Sequence, residues 1–178
     1  MIIESKGKDK KSFYEEVLYI ASNYYIFKKN PKTRVHSLTK VFLLYVILFF
    51  VLFIICLFIL RSEAISAIAL TLGIVYTYLL VEAKYKLREY IKQGNSMVKI
   101  DESGVENSYE NQVISKLSWD AIEFVLIQKN TICFLPKNFA SFAIFVPAST
   151  QEKVSQALKK YDKMDLVIDN SRKYSHKM

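Results

Sequence analysis

The sequence predicts a membrane α-helical hairpin followed by a small α+β domain, an antiparallel β meander or partly open barrel of about six or seven strands that a C-terminal helix caps. Two long apolar runs separated by three polar residues predict the hairpin. Short apolar segments separated by turn residues follow them and predict strands. A last segment with helical periodicity predicts the capping helix.

Each apolar run is long enough to cross a membrane. Residues 41–60 are twenty consecutive apolar residues, and residues 64–81 form a second run after Arg61, Ser62 and Glu63. A helix of about 20 residues matches a bilayer hydrocarbon core of about 30 Å. Ion pathways and transport sites need buried ionisable groups or broken helices. Neither run contains a charged residue, so we expect a passive anchor rather than a channel or transporter.

The second run carries small and hydroxyl residues at intervals of three or four, which place a smooth stripe on one helix face. Such a stripe lets another backbone approach closely, and we expect its partner to be the first run of the same chain in preference to a homodimer contact. The stripe consists of Ser66, Ala69, Gly73 and Thr77.

Basic residues flank the two runs, whereas the turn between them has one Arg and one Glu. Residues 1–40 contain nine Lys and Arg against four Asp and Glu, and residues 84–178 contain fifteen against eleven. The positive-inside rule therefore predicts a two-pass protein with both termini in the cytoplasm. The charges lie where anionic headgroups would be, so nucleic-acid binding is disfavoured. The predicted membrane-surface residues are Lys28, Lys29, Lys32, Arg34, Lys40, Lys84, Lys86, Arg88 and Lys92.

Four regions follow from these patterns: a basic cytoplasmic N-terminal segment (1–40), the hairpin (41–83), a cytoplasmic β domain with its helix (84–165) and a basic tail (166–178). The first eleven residues read as a solvated tail. Phe13, Val17, Ile20 and Tyr24 recur with helical spacing and predict an amphipathic helix, with Glu15 and Glu16 on its other side. Whether residues 13–27 pack on the membrane or on the β domain stays open.

Short apolar segments between turn residues predict the strands, and alternate residues of each should face the core. Gly94 and Asn95 should end the second membrane helix, just ahead of the first of these strands. The predicted strand segments are 97–100, 105–109, 113–119, 122–128, 131–135 and 142–146. The expected inward residues are Val113, Leu117, Trp119, Phe124, Leu126, Ile132, Phe134, Phe142, Ile144 and Val146.

A capping box at Ser149 and Glu152 predicts the start of the C-terminal helix. Its apolar face should consist of Val154, Ala157, Leu158 and Tyr161. Residues 165–169 are a possible further strand, and 171–178 read as a tail.

Several short features resemble the YcxB-like family of bacterial membrane proteins. They are the strand and acidic-glycine turn at 98–105, the Trp-x-x-Ile pattern at 118–122 and the Ile-x-x-Pro pattern at 144–147. The resemblance covers about residues 13–161. It implies a bacterial plasma-membrane protein whose soluble domain has a pleckstrin-homology-like (PH-like) fold. It implies no established biochemical activity.

Four residues within these features have structural reasons of their own. Gly104 permits the positive φ of a tight hairpin, and Trp119 fills a small barrel core. Asp120 should cap the turn through Ile122, and Pro147 should end the last strand and start the helix.

The chain offers few groups for catalysis, so we expect no enzyme, no cofactor and no small-molecule substrate. His36 and His176 lie in basic segments and Cys56 and Cys133 in apolar ones, which predicts neither a metal site nor a nucleophile. Four acidic residues along the first hairpin lack the spacing of a calcium loop. They are Asp101, Glu102, Glu106 and Glu110.

The favoured function is that of a membrane anchor presenting a domain to an unknown protein partner. A toxin-immunity or membrane-stress protein and an anionic-lipid sensor remain alternatives. Recognition of phosphoinositides at the first strand turn is disfavoured, because the carboxylates of Asp101 and Glu102 would repel a phosphate.

Overall fold

The computed structural model of the chain describes residues 1–4, 10–92, 96–110, 112–138 and 143–171. It divides the chain into two compact units. One, the β unit, consists of Met1–Val35 with Gln93–Met178, and the other, the helical hairpin, is His36–Lys92. The N-terminal segment therefore belongs with the strands. This differs from the sequence-based division, in which residues 1–40 formed a region apart from 84–165.

The β unit contains two four-stranded sheets. The first has the order β1-β2-β3-β4 and is antiparallel throughout, and the second has the order β7-β6-β5-β8, with β8 parallel to β5. The strands are β1 (Ile2–Glu4), β2 (Met97–Asp101), β3 (Gly104–Tyr109), β4 (Gln112–Ser118), β5 (Ile122–Ile127), β6 (Thr131–Pro136), β7 (Ile144–Pro147) and β8 (Val167–Asp169). The helices of this unit are α1 (Lys10–Ser22), α2 (Tyr24–Lys29) and α5 (Gln151–Lys160).

The inner faces of the two sheets and one face of α5 enclose the main core. Burying apolar side chains contributes about 25 cal/mol per Å² removed from water, which makes this cluster the main stabilising element. The predicted six strands and the capping helix are thus present. The core contains Val98, Ile100, Val105, Leu117, Trp119, Val125, Ile132, Phe134, Ile144, Val146, Val154 and Leu158.

A second apolar cluster lies on the outer face of the second sheet. There α1 and α2 bring Ile20, Tyr24 and Phe27 against Leu126, Cys133 and Leu135, and all six side chains are buried. The open question about residues 13–27 is thereby answered, since they pack on the strands. Every residue of β6 is buried, because this strand is covered on both faces.

Polar contacts fix the N-terminal segment in place. The hydroxyl of Tyr24 donates a hydrogen bond of 2.7 Å to the carbonyl of Pro136. The side-chain amide of Asn170 donates one of 2.8 Å to the carbonyl of Pro31. Glu16 accepts two hydrogen bonds from Asn130, one of 3.0 Å from its backbone N–H and one of 2.7 Å from its side-chain amide.

Glu16 is buried, although the sequence placed it on the polar side of α1. It follows Phe13 by three residues and precedes Ile20 by four, which puts it on the apolar helix face. The carboxylate therefore holds the turn between β5 and β6 rather than facing water. Burial raises the pKa of Glu16 above its ordinary value, and the hydrogen bonds from Asn130 oppose this shift.

Both ends of the β unit form short strands. Residues 2–4 form β1, which pairs with β2 where a solvated tail was expected, because Ile3 is buried in the main core. Residues 167–169 form β8, as expected for the further strand at 165–169, although the division into regions counted them with the basic tail. Asn170, the residue that follows β8, is 3% exposed and donates its backbone N–H to the carbonyl of Ile127.

The predicted alternation of faces is wrong at two places. Leu126 packs in the outer cluster, with Phe124 beside it, whereas Ile132 and Phe134 face the main core. An irregularity between Ile122 and Phe124 shifts the register there, and a shift of one residue moves side chains to the opposite face. Val113 is exposed, beside a bulge in β4. The expected inward residue Phe142 lies outside the described residues, as do Gly94 and Asn95.

The helix α5 begins one residue later than the predicted capping box requires. Ser149 lies in a single 3₁₀ turn, Ala148–Thr150, and Thr150 is the residue before the helix. The hydroxyl of Thr150 donates to the carbonyl of Pro147 at 2.7 Å instead of capping α5.

The helical hairpin consists of α3 (Leu38–Phe58) and α4 (Glu63–Lys92). Both contain stretches long and apolar enough to cross a membrane, Leu38–Phe58 and Glu63–Arg88. Most residues of these stretches are exposed, unlike those of a helix in a soluble core. The second helix continues past the predicted span to Lys92, so residues 84–92 belong to it and not to the β domain. Arg61, in the turn, has a φ of 48°.

The buried carboxyl group of Glu16 should make stability depend on pH. A raised pKa in the folded state gives a stabilising contribution that is present below the ordinary glutamate pKa of about 4.3 and is lost as the pH rises through the folded value. The Glu16→Gln variant lacks this titration. We expect the unfolding free energy of the wild type, relative to Glu16→Gln, to fall as the pH rises above the ordinary glutamate pKa of about 4.3.

Urea unfolding in detergent, followed by the fluorescence of Trp119, measures this difference, because Trp119 is the single tryptophan of the chain and lies in the β unit. Glu15→Gln, which removes a carboxyl group from the same helix, is the matched control. A wild-type advantage that stays constant or grows with pH would contradict the assignment.

Candidate interaction surface

The first sheet ends at β4, whose outer edge pairs with no other strand of the described chain. The other edge strands are shorter: β1 and β8 have three residues each, and β7 has four and ends at Pro147. β4 has seven residues and contains no proline. A strand edge presents a row of backbone N–H and C=O groups that another strand can pair with. Of these four edges, β4 therefore offers the longest template.

Exposed apolar side chains lie along this edge. Val113 is 57% exposed and Ile114 is 61% exposed. Asn107 pairs with Ser115 and Ser108 pairs with Val113, which leaves Ile114 without a partner residue on β3. Such a bulge increases the local twist and redirects side chains. We call the outer edge of β4, with Val113 and Ile114, the β4 edge.

A groove of about 280 Å³ adjoins the C-terminal half of β4. Its charged residues are Lys116, Lys137 and Asp120. The ammonium group of Lys28 also reaches this region and donates a hydrogen bond to the carbonyl of Lys137. Lys116 is 3.7 Å from Glu106 and thus partly compensated within the sheet. We call this region the lysine groove, lined by Lys116, Leu117, Asp120, Ala121, Pro136, Lys137 and Asn138.

A second concave region, of about 450 Å³, lies beside Trp119. Trp119 is held in place by a 3.0 Å hydrogen bond from its indole N–H to the carbonyl of Asp101, and its ring centroid is 6.2 Å from that of Tyr161. The region has carboxylate, hydroxyl and ammonium groups at its rim. Its lining residues are Glu102, Ser103, Ser118, Trp119, Asp120, Tyr161 and Lys163.

The turn between β2 and β3 keeps its negative charge. Asp101 accepts hydrogen bonds of 2.7 Å from the hydroxyl and 2.9 Å from the backbone N–H of Ser103, and Lys99 lies 3.0 Å away. The hydroxyl of Ser103 and then Lys99 hold the pKa of Asp101 well below its usual range. An ionised carboxylate at this turn disfavours a phosphate ligand there.

Gly104 occupies a position that needs glycine, and Pro147 lies where a strand passes into a helical turn. Gly104 has a φ of 142°, and a Cβ atom added to it would lie 1.9 Å from the carbonyl oxygen of Leu117. Pro147 ends β7 and precedes the 3₁₀ turn. Asp120 is different: it lies inside the 3₁₀ turn Trp119–Ala121, and its side chain makes no capping hydrogen bond recorded among the described residues. It borders both concave regions instead.

Only part of the small-residue stripe of α4 is buried in the structure. Ser66, Ala69 and Gly73 are buried, and the Phe50 ring of α3 lies 3.4 Å from where a Cβ on Gly73 would stand. Thr77 is exposed, and its hydroxyl donates to the carbonyl of Gly73 at 2.8 Å. The ring of Tyr76 continues the contact with α3 by stacking on aromatic rings of that helix.

The predicted membrane-surface cations do not act alike. Lys28 is directed to a carbonyl of the β unit, and Lys86 forms an ion pair of 2.6 Å with Glu82. The side chain of Lys92 lies outside the described part of the chain. The remaining ones are exposed: Lys29, Lys32, Arg34, Lys40, Lys84 and Arg88.

Sequence reasoning missed the β4 edge and the lysine groove, and it placed Glu16 wrongly. The edge follows from the order of strands in the sheets, which the sequence does not show directly. Within the described ranges, no cluster of three or more His, Cys, Asp or Glu side chains could hold a metal ion. Burial raises the pKa of the Cys133 thiol, which keeps it protonated.

No family model, no curated protein and no solved structure matches the chain. What this surface does must therefore be argued from its own residues.

Replacing Gly104 tests how strictly the β2–β3 turn is defined. Gly104→Ala should lower the free energy of unfolding by about 2 kcal/mol or more, because the new methyl group collides with the β4 backbone and the φ is strained. Urea unfolding followed by Trp119 fluorescence measures the loss. Glu102→Ala, in the same turn and exposed, should change stability by less than about 0.5 kcal/mol. Equal stabilities for the two variants would refute this role of Gly104.

Proposed function

We propose that this chain is a bacterial membrane-anchored interaction module: the hairpin holds it in the cytoplasmic membrane with both termini inside, and a PH-like β unit binds a protein partner. The observation that carries the proposal is the β4 edge. A seven-residue strand whose outer edge pairs with none of the described strands, and which has two exposed apolar side chains, is a surface that soluble proteins usually cover or protect.

The charges of the surface favour a protein over a headgroup as the ligand. Anionic lipids are attracted by clustered exposed cations, but the β2–β3 turn carries ionised Asp101 beside Glu102. The β4 edge also presents apolar groups and backbone hydrogen-bonding groups rather than a cluster of cations alone. Backbone pairing and shallow side-chain pockets are the means by which extended peptides are bound.

The PH-like assignment rests on the arrangement of the β unit. Two sheets packed face to face with a helix after the seventh strand agree with the fold that the YcxB-like resemblance implies. The additional strand β8, parallel to β5, and the N-terminal helices α1 and α2 are elements that the resemblance did not specify.

Crosslinking in intact cells tests the proposal and the orientation together. A membrane-permeant amine-reactive reagent should trap a specific protein on the full chain, because the β unit faces the cytoplasm. An impermeant reagent of the same reactivity should not trap it until the cells are opened. The helical hairpin expressed without the β unit serves as the control for contacts made within the membrane.

Recovery of the same proteins with the hairpin alone would show that the β unit is not the binding module. Trapping by the impermeant reagent in intact cells would reverse the proposed orientation.

A further inference from the structure

We propose that the β4 edge binds an extended, acidic segment of a partner protein, which adds to the first sheet as a fifth strand and places a carboxylate in the lysine groove. This inference rests on the proposed function and specifies how its partner is recognised. It requires an edge free to pair, apolar contacts beside it and a charge that selects the ligand.

The edge supplies the backbone pairing. The outer side of β4 is the only long sheet edge among the described strands, since β1, β7 and β8 have three or four residues. An added strand gains main-chain hydrogen bonds, and alternate side chains then meet the surface on which it lies. Val113 and Ile114 would be covered by the apolar side chains of such a strand.

The lysine groove supplies the selectivity. It lies beside the second half of the same strand, because Lys116 and Leu117 belong both to β4 and to its lining. Lys137 is exposed, and the ammonium group of Lys28 is nearby at the carbonyl of Lys137. Two carboxylates oppose part of this charge: Asp120 lines the groove, and Glu106 lies 3.7 Å from Lys116. An aspartate or glutamate on the added strand would therefore meet an opposite charge.

The same charges argue against a second copy of this chain as the occupant. The sequence of β4 is Gln-Val-Ile-Ser-Lys-Leu-Ser, so Lys116 is its one charged residue. Two β4 strands paired with each other contribute no carboxylate from their own seven residues. A partner strand that carries an acidic residue would supply one directly beside the groove.

Site-specific photocrosslinking in native membranes tests this mode. The photoreactive amino acid benzoylphenylalanine is placed at position 114 of the full chain, and at position 97 as a control, where Met97 is exposed on a strand paired on both sides. We expect a partner adduct at 114 and none at 97. Mass spectrometry should map the adduct to a segment that contains an acidic residue.

A synthetic peptide of the mapped segment then probes the charge contact on the full chain in detergent. Lys137→Glu should weaken its binding about fivefold, as expected for one reversed charge contact at an exposed site. Replacing the acidic residues of the peptide by their amides should weaken binding to the wild type by a similar factor, and should strengthen binding to Lys137→Glu because it removes the repulsion between two carboxylates. Val113→Asp should abolish binding, and the matched control Met97→Asp should preserve it.

Several results would overturn the inference. They are an adduct between two copies of the chain, an adduct with lipid only, a mapped segment without an acidic residue, and peptide binding that Lys137→Glu does not change. A partner trapped elsewhere on the β unit but not at 114 would reject this binding mode and leave the proposed function standing. Absence of any partner on the β unit would reject both.

Discussion

The second sheet of the β unit depends on being covered from both sides. Its inner face meets the first sheet and α5, and its outer face meets α1 and α2. Without those helices, Leu126, Cys133 and Leu135 would form an exposed apolar surface, which monomeric soluble domains seldom tolerate. Phe27 is fully buried in this contact, and Glu16 fixes the turn between β5 and β6 from the same side.

This arrangement also explains why β4 remains open. The helices of the N-terminal segment cover the second sheet and its short strand β1 pairs at the far edge of the first sheet, so no described strand pairs with the β4 edge. The exposed Val113 and Ile114 lie on that edge, and the lysine groove adjoins it. The proposed binding surface is thus a consequence of how the fold distributes its covering elements.

Local patterns predicted the elements well, because strands and helices carry their periodicity in the sequence. The hairpin, the strands from β2 to β7 and the final helix were found this way. Long-range packing was not predictable. The apolar face of α1 was visible, but its partner was not, since a membrane surface and a sheet both cover such a face. Gly104 was recognised because glycine alone suits its backbone conformation, and Trp119 because it is a large side chain suited to a small core, whereas the β4 edge depends on strand order.

The central claim is that the N-terminal helices are part of the cooperative β unit. Phe27→Ala tests it most directly when unfolding of the full chain in detergent is followed by Trp119 fluorescence, because Trp119 lies in the main core and Phe27 in the outer cluster. Truncating a buried phenylalanine costs about 3–5 kcal/mol. We expect the free energy of unfolding reported by Trp119 to fall by that amount in Phe27→Ala, and to stay close to the wild-type value in Ile26→Ala, which changes an exposed neighbour. An unchanged Trp119 transition in Phe27→Ala would contradict the central claim.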